Sequence, residues 1–140
     1  MSSKGIEAER QLIRYLDHRD YYVFHSVGSR GSIDVLAWKA KYLGVLKYKF
    51  AIQVKATRES EFSVEKKLVE DLRKAAGSAG FEPVLAIRFG RENWKLWRDT
   101  EEDILEETDL EHLLSKYKSQ PNIFLRADDP RAKLLEKVFS

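Results

Sequence analysis

The sequence predicts an α/β fold in which a mixed five-stranded sheet is flanked by helices. Three observations lead to it. Residues 5–18 carry apolar side chains at helical spacing. Short alternating or apolar segments, typical of strands, occur three times before and twice after a second helical stretch. Residues 83–89 (PVLAIRF) form a nearly continuous apolar run, which is typical of a strand buried on both faces. The order helix, three strands, helix, two strands favours a layered α/β sandwich.

The first helix places a carboxylate where an apolar side chain is expected. At 100° per residue, one arc of residues 5–18 contains Ile6, Leu12, Ile13 and Leu16. Glu9 falls in the middle of that arc. A buried carboxylate is costly unless it is paired or binds something. Glu9 is therefore a candidate functional residue.

Three strands follow, at residues 21–26, 33–38 and 49–55, with a glycine-serine loop at residues 28–32 and a turn near Gly44. In the second strand, alternation places Asp34 on the face opposite Val35. In the third strand, Gln53 and Lys55 project from one face, two residues apart. Asp34 leads directly out of the loop, so these polar side chains are candidates for one site.

The second half of the chain is predicted from its turn and capping residues. Residues 63–78 read as a helix with Ser63 as N-cap, followed by strands at residues 83–89 and 93–98. In the tail we expect a short helix at residues 110–117 and a strand at residues 122–126. A last helix is expected at residues 130–139, with Asp128 or Asp129 as N-cap and Pro130 at its first position.

Length and composition predict one globular domain over residues 1–140, with a core at 1–98 and an acidic segment and C-terminal helices at 99–140. The absence of cysteine excludes disulfides and thiolate metal sites. No apolar run approaches the roughly 20 residues of a membrane helix. The N-terminus also lacks the apolar stretch of a secretion signal, so no membrane partner and a cytoplasmic location are expected.

Charge is distributed unevenly. Residues 1–98 hold 19 Lys and Arg against 12 Asp and Glu, whereas residues 99–140 hold 6 against 11. Residues 35–58 contain six basic side chains and no acid, and residues 99–111 contain eight acids and no base. This asymmetry fits a polyanionic partner that contacts only the basic region. A solvated lysine-rich face explains the charge equally well.

The combination of Glu9, Asp34, Gln53 and Lys55 fits hydrolysis of a phosphodiester. Cleavage needs an activated water and neutralisation of transition-state charge, and Mg²⁺ can supply both through oxygen ligands. Asp34, Glu9, the Gln53 side chain and the Val54 carbonyl are candidate ligands, and Lys55 can orient the water or stabilise negative charge. A lone Asp at a strand start is usually a surface or capping residue. The ordered combination carries the argument.

These motifs resemble the archaeal Holliday-junction resolvase family of the PD-(D/E)xK nuclease superfamily, over about residues 4–98. Lys4-Gly5 and Glu9-Arg10 resemble its KGxxxER opening, in which the glutamate is catalytic. Residues 25–29 (HSVGS) resemble its RSAGS loop, with Ser29 at the functional serine. The family's (P)D-[IL]-V motif corresponds to residues 33–35 (IDV), and its AIEVK motif resembles residues 51–55 (AIQVK). Its PVLAVKF segment, followed by GWRF, resembles residues 83–89 (PVLAIRF) followed by residues 93–96 (NWKL).

The resemblance implies a restriction-endonuclease-like core and a homodimer that binds four-way DNA junctions and nicks them symmetrically with Mg²⁺, which Mn²⁺ can replace. It thus implies an endodeoxyribonuclease of recombination and repair. Catalytic roles are implied for Glu9, Ser29, Asp34, Gln53 and Lys55. The basic residues expected to contact DNA are Lys4, Arg10, Arg30, Lys39, Lys41, Lys47, Lys49 and Arg58.

The chain departs from the family pattern in three places. The stretch between Asp34 and Lys55 is longer, the tail beyond Asp99 has no clear counterpart, and Gln53 replaces a glutamate. Two alternatives therefore stay open: a branched-DNA-binding protein with weakened or lost catalysis, and a PD-(D/E)xK nuclease of other DNA specificity. The aromatic residues Trp38, Tyr42, Trp94 and Trp97 fit either DNA contact or packing in a core or dimer.

Overall fold

A computed structural model describes residues 3–26, 32–41, 45–99 and 109–139, and the side chains of these except residues 3, 4, 40, 41 and 45–47. The elements in chain order are α1 (Ser3–Asp17), β1 (Tyr22–His25), β2 (Val35–Lys41), β3 (Val45–Thr57), β4 (Glu61–Glu65), α2 (Lys66–Ala79), β5 (Glu82–Phe89), β6 (Asn93–Arg98), α3 (Asp109–Lys116), β7 (Asn122–Arg126), β8 (Lys133–Leu134) and α4 (Leu135–Val138).

The main sheet is mixed and has the strand order β1-β2-β3-β5-β6-β8. Strands β3 and β5 are parallel, and every other neighbouring pair is antiparallel. The chain passes from β3 to β5 through β4 and α2, the kind of crossover that parallel strands require. The predicted α/β class with helices flanking a mixed sheet is confirmed. All five expected strands lie side by side, and the short β8 adds a sixth.

Two apolar cores cover the two faces of the sheet. On one face, α1 and α4 pack on β2, β3 and β5, with Leu12, Leu16, Ile52 and Phe139 fully or almost fully buried. On the other face lie α2, α3 and the separate two-stranded sheet β4–β7. The last residues of the described chain, including Phe139, therefore pack on the chain's own core.

The prediction that Ser63 caps the second helix is wrong. Ser63 lies in β4, which pairs antiparallel with β7, and Ser63 stands opposite Phe124. Strand pairing outweighs the capping signal because Val64, on the neighbouring position, is buried in the second core. The helix begins at Lys66, after Glu65, which makes no side-chain capping hydrogen bond.

The prediction of a helix over residues 130–139 is also wrong, because only Leu135–Val138 is helical. Asp129 accepts a hydrogen bond on Oδ1 from the Arg131 backbone N–H at 2.9 Å, which closes a turn rather than opening a helix. The following residues Lys133 and Leu134 then pair with β6. The expected helix at residues 110–117 and strand at residues 122–126 are both present.

No helix within the described residues is long and apolar enough to cross a lipid bilayer.

Candidate active site

Asp34 is fixed in place by hydrogen bonds to both neighbouring strands. Its backbone N–H donates to the Ile52 carbonyl at 2.9 Å, and its carbonyl accepts from the Ser26 N–H at 2.9 Å. The carboxylate oxygen Oδ2 accepts two further bonds of 2.8 Å, from the Val54 backbone N–H and from Gln53 Nε2. Asp34 is buried, at 5% exposure. This carboxylate is therefore both desolvated and rigidly positioned.

Gln53 lies against Asp34 with one amide atom unused. Its Nε2 donates to Asp34, whereas its Oε1 is buried and has no hydrogen-bond partner among the described residues. An unpartnered buried acceptor is costly, and a ligand would relieve that cost. The Val54 carbonyl is directed to the same edge of β3 as its N–H, because the two groups of a strand residue point the same way. Two neutral oxygen donors thus flank the Asp34 carboxylate.

Glu9 reaches the site from α1 and is buried, at 5% exposure. Its Oε2 lies 2.9 Å from Nε2 of His25, on β1. The position of Glu9 on the apolar arc of the helix is as the sequence predicts. The contact with His25 is not predicted by the sequence, in which His25 forms part of the loop motif at residues 25–29. The alternation of β1, which turns Val23 and His25 away from the exposed Tyr22 and Phe24, is the signal that could have found it.

Burial raises the pKa of Asp34 above its usual value, and the nearby charge of Glu9 raises it further. The hydrogen bond from the Val54 N–H lowers the pKa of Asp34 and is the largest effect in that direction. The charges of Lys55 and His25 also lower this pKa. Glu9, Lys55 and His25 therefore each lie close enough to Asp34 to influence its carboxylate electrostatically. Two buried acids in one site create a place where a cation would be stabilised.

Lys55 lies on the same surface of the sheet as Asp34 and Gln53. Strand alternation directs the Gln53 and Lys55 side chains to one face of β3, and Lys55 is half-buried. Gln53 stands beside Leu85 of β5, in the core under α2. The structure therefore brings together Glu9, Asp34, Gln53, Val54 and Lys55.

A hard cation fits the residues present, although the charged donors are few. Within the described parts of the chain, no group of three or more His, Cys, Asp or Glu side chains is arranged to hold a metal. The candidate donors are nevertheless all oxygens, which suits Mg²⁺. They are the carboxylates of Glu9 and Asp34, the unpartnered Gln53 Oε1 and the Val54 carbonyl. Gln53 accounts for the missing third carboxylate.

Of the residues expected to contact DNA, the structure describes the side chains of Arg10, Lys39, Lys49 and Arg58. Ser29 and Arg30 lie outside the described residues, as do the side chains of Lys4, Lys41 and Lys47. Arg10 and Arg58 are exposed. Lys39 lies five residues along β2 from Asp34, about 17 Å at the usual strand rise.

Lys39 and Lys49 contact aromatic rings. The Nζ of Lys39 lies 4.6 Å from the ring centroid of Tyr21, and that of Lys49 lies 5.7 Å from the centroid of Phe81. Lys49 also stands near the start of β3, away from Gln53. The backbone of the basic hairpin β2–β3 therefore extends away from the carboxylates.

Arg88 is a buried cation that sequence reasoning missed, since it lies inside the apolar run of β5. At 5% exposure, it donates from one guanidinium nitrogen to Gln11 Oε1 at 2.9 Å and lies 3.9 Å from Glu7 Oε1. Gln11 also donates from Nε2 to the Arg91 carbonyl at 3.3 Å. These contacts join α1 to β5 and to the turn after it, on either side of Glu9 along the helix.

Residues 1–127 match the sequence model of a family described as the archaeal Holliday junction resolvase (Hjc). The chain belongs to this family. Membership places the chain in a class of nucleases that act in DNA recombination and repair, and it confirms the resemblance drawn from the motifs. The match also continues beyond residue 98, where the motif resemblance ended, through α3 and β7.

The fold agrees with a solved structure of the same family. The Hjc Holliday junction resolvase of Archaeoglobus fulgidus, an archaeal hyperthermophile, superposes with a TM-score of 0.73. The match covers 98% of this chain and 96% of that chain, at 20% sequence identity. At this identity the likeness establishes the shared fold, and the site has to be argued from the residues themselves.

Proposed function

We propose that this chain is a metal-dependent endodeoxyribonuclease that nicks four-way DNA junctions symmetrically as a homodimer. Residues 1–140 would act as one nuclease domain. The observation that carries the proposal is the Asp34 carboxylate, held at 2.8 Å by the Val54 N–H and by Gln53, with Glu9 and Lys55 close by. Family membership supplies the branched DNA substrate.

Four groups would hold the cation: the Asp34 and Glu9 carboxylates, Gln53 Oε1 and the Val54 carbonyl. The expected ion is Mg²⁺, for which Mn²⁺ would substitute. The cation would neutralise charge on the phosphate and promote ionisation of the attacking water. Lys55 donates hydrogen bonds, so its role is to orient that water or to stabilise a phosphate oxygen. His25 holds the Glu9 carboxylate in one orientation through the 2.9 Å contact.

One observation favours a second candidate function, a junction-binding protein with weak or no cleavage. Gln53 Nε2 and the Val54 N–H both donate to Asp34 Oδ2, which makes that oxygen less available to a cation. Glutamine also contributes no charge, so the attraction of the site for a dication is lower than that of three carboxylates. In this alternative the same surface binds DNA and the chemistry is slow.

The deciding experiment incubates the protein with an end-labelled four-way junction and with a duplex of the same sequence, in Mg²⁺, Mn²⁺ or EDTA. We expect paired nicks near the branch point in Mg²⁺ and Mn²⁺, an intact duplex, and no product in EDTA. Tight junction binding with no product in either metal would support the binding protein. Equal cutting of the duplex would point to a nuclease of another specificity.

Binding should depend on the basic hairpin β2–β3. Replacing Lys39, Lys41 and Lys47 together with alanine should weaken binding of every DNA sequence and shape, because lysines contact phosphates rather than bases. The dependence of the logarithm of affinity on the logarithm of salt should become less steep by about one per lost phosphate contact. Both quantities can be measured by fluorescence anisotropy in EDTA.

A charge-matched control removes three exposed lysines elsewhere, Lys67, Lys118 and Lys137. This control should retain most of the affinity if the hairpin is the binding surface. Equal losses in the two triple variants would show that only net charge matters. An unchanged affinity in the hairpin variant would place the DNA on another surface.

Two symmetric nicks require two sites, and an isologous dimer supplies them. We expect sedimentation at micromolar concentration to give twice the 16.3 kDa chain mass. A monomer at that concentration, with or without junction DNA, would exclude the symmetric mechanism. The number of nicks per junction in a single binding event provides an independent measurement.

A further inference from the structure

A row of aromatic side chains, two of them exposed, lies on one face of the sheet at β1 and β2 and continues to Phe81, next to β5. Tyr22 is 60% exposed and Phe24 is 58% exposed, although both are large apolar rings on a sheet. The Tyr22 ring stacks on Trp38, with centroids 6.1 Å apart and planes at 20°. Trp38 in turn meets Phe81 edge to face at 6.4 Å. Tyr22, Phe24, Trp38 and Phe81 are called the aromatic face below.

The aromatic face lies on the same side of the sheet as the catalytic carboxylate. In the β1–β2 register, Tyr22 stands beside Trp38 and Phe24 stands beside Leu36. Asp34 is the next residue of that alternation, and its carbonyl accepts from the Ser26 N–H. One strand spacing and two residues separate Phe24 from Asp34, about 8 Å between Cα atoms. The exposed rings thus extend along the sheet to within about two residues of Asp34.

The charge around the aromatic face fits a polyanion. Lys49 lies over the Phe81 ring, and Lys55 projects from the same face of β3 beside Asp34. From residue 35 to residue 58 the sequence contains six basic residues and no acid. A second copy of this chain that docked on this face with its own aromatic face would bring the same positive charge and be repelled, whereas nucleic acid would be attracted. Exposed rings beside cations are also the usual composition of surfaces that bind unpaired nucleotides.

We propose that the aromatic face is a stacking surface for unpaired nucleobases at the branch point of the DNA, and this inference rests on the proposed function. Bases at a branch point are more easily unstacked than bases within a duplex. Stacking them on Tyr22 and Phe24 would place the adjacent phosphate near Asp34. Trp94 and Trp97, by contrast, are 4% and 1% exposed and belong to the cores.

The test compares the parent protein with the double variant Tyr22→Ala/Phe24→Ala, in EDTA so that no cleavage occurs. Stacking on an aromatic side chain contributes roughly 1–3 kcal/mol per base, or about 5- to 150-fold in affinity. We therefore expect junction affinity to fall by about tenfold or more, with duplex affinity unchanged. The salt dependence should stay the same, because no cation is removed. A 2-aminopurine at the branch point should lose the change in fluorescence that the parent protein induces.

Two further variants separate stacking from folding. Phe124→Ala removes an aromatic ring of similar exposure, 47%, on β7, and should bind junctions like the parent protein. Tyr22→Trp/Phe24→Trp keeps the rings and should retain junction preference. In the unmodified protein, 5-iodouracil at the branch point should crosslink to Tyr22 or Phe24. This readout needs no variant to fold.

Three outcomes would overturn the inference while leaving the proposed function intact. These are a double variant with parental junction affinity, an equal loss for junction and duplex, and crosslinks only to residues outside the aromatic face. Conversion of a parental dimer into a monomer by the double variant would instead assign the rings to a protein interface. If the parent protein binds no branched DNA, the proposed function itself fails and the stacking inference fails with it.

Discussion

Replacing Asp34 with asparagine is expected to abolish cleavage while leaving junction binding intact or stronger. Asparagine keeps the shape and can still accept the Val54 N–H, but it removes one of the two carboxylates that attract the cation. The loss of rate should be at least about a hundredfold, the lower end of what removal of one electrostatic group at a transition state costs. Single-turnover cleavage of a labelled junction in Mg²⁺ measures it. Binding in EDTA should strengthen slightly, because a negative charge near the phosphate is gone.

The same variant should make the metal-free protein more stable. Since the folded protein raises the pKa of Asp34, the folded state binds a proton more readily than the unfolded chain. The ionised carboxylate therefore destabilises the fold at neutral pH, and this cost disappears as pH falls below the usual carboxyl pKa. Asp34→Asn should raise the unfolding midpoint in EDTA at neutral pH, and its advantage over the parent should shrink in acid.

A matched control for both readouts is Asp17→Asn, an exposed carboxylate on α1. It should change neither the cleavage rate nor the midpoint appreciably. Parental cleavage by Asp34→Asn would remove Asp34 from the reaction, whatever the stability result. A lower midpoint for Asp34→Asn at neutral pH would contradict the electrostatic description of the site.

The positions of the candidate site residues could be predicted from the sequence because these residues obey local periodicities. Helical spacing places Glu9 on the buried side of α1, and strand alternation places Gln53 and Lys55 on one face of β3. The buried polar residues Asp34, Gln53 and Glu9 are each 5–6% exposed. What brings Asp34 to Gln53 is the pairing of Val35 with Ile52. Sequence suggests that contact only through the motif spacing.

The failures concern residues whose positions are set by distant partners. Ser63 is a reasonable helix cap by local criteria, but its segment pairs with β7, about sixty residues later in the chain. Residues 133–134 add to the sheet beside β6 rather than extending a helix. His25 and Arg88 have no local signal beyond alternation, because their partners Glu9 and Gln11 lie on another element. Tertiary contacts decide these cases against local propensity.

Replacing Gln53 with glutamate is expected to lower the Mg²⁺ concentration needed for half-maximal nicking, or to switch on nicking if the parent protein is silent. Glutamate places a third carboxylate beside Asp34 and Glu9, which increases the attraction for a dication. It also removes the Gln53 Nε2 that now donates to Asp34 Oδ2, which leaves the Val54 N–H as the remaining donor to that oxygen among the described residues. A titration of nicking rate against Mg²⁺ measures the effect.

The effect of Gln53→Glu on stability should have opposite signs without and with Mg²⁺, and this separates a role as metal ligand from a role in packing. Without metal, a glutamate at position 53 would place a carboxylate oxygen where Gln53 Nε2 now lies, 2.8 Å from Asp34 Oδ2, so the unfolding midpoint in EDTA should fall below that of the parent. Junction binding in EDTA should also weaken slightly, because the variant adds a negative charge close to the DNA phosphate. With Mg²⁺, the gain in midpoint should exceed that of the parent, because a ligand stabilises the folded state in proportion to its affinity.

Gln120→Glu, at an exposed position, adds the same charge elsewhere and should leave the Mg²⁺ requirement and both midpoints close to parental values. If Gln53→Glu changes neither the metal requirement nor the rate, Gln53 does not bind the cation. The unpartnered Oε1 would then be a packing defect rather than a vacant ligand. A lower midpoint in EDTA that Mg²⁺ does not restore would show that the three carboxylates are close together but do not converge on a common ion.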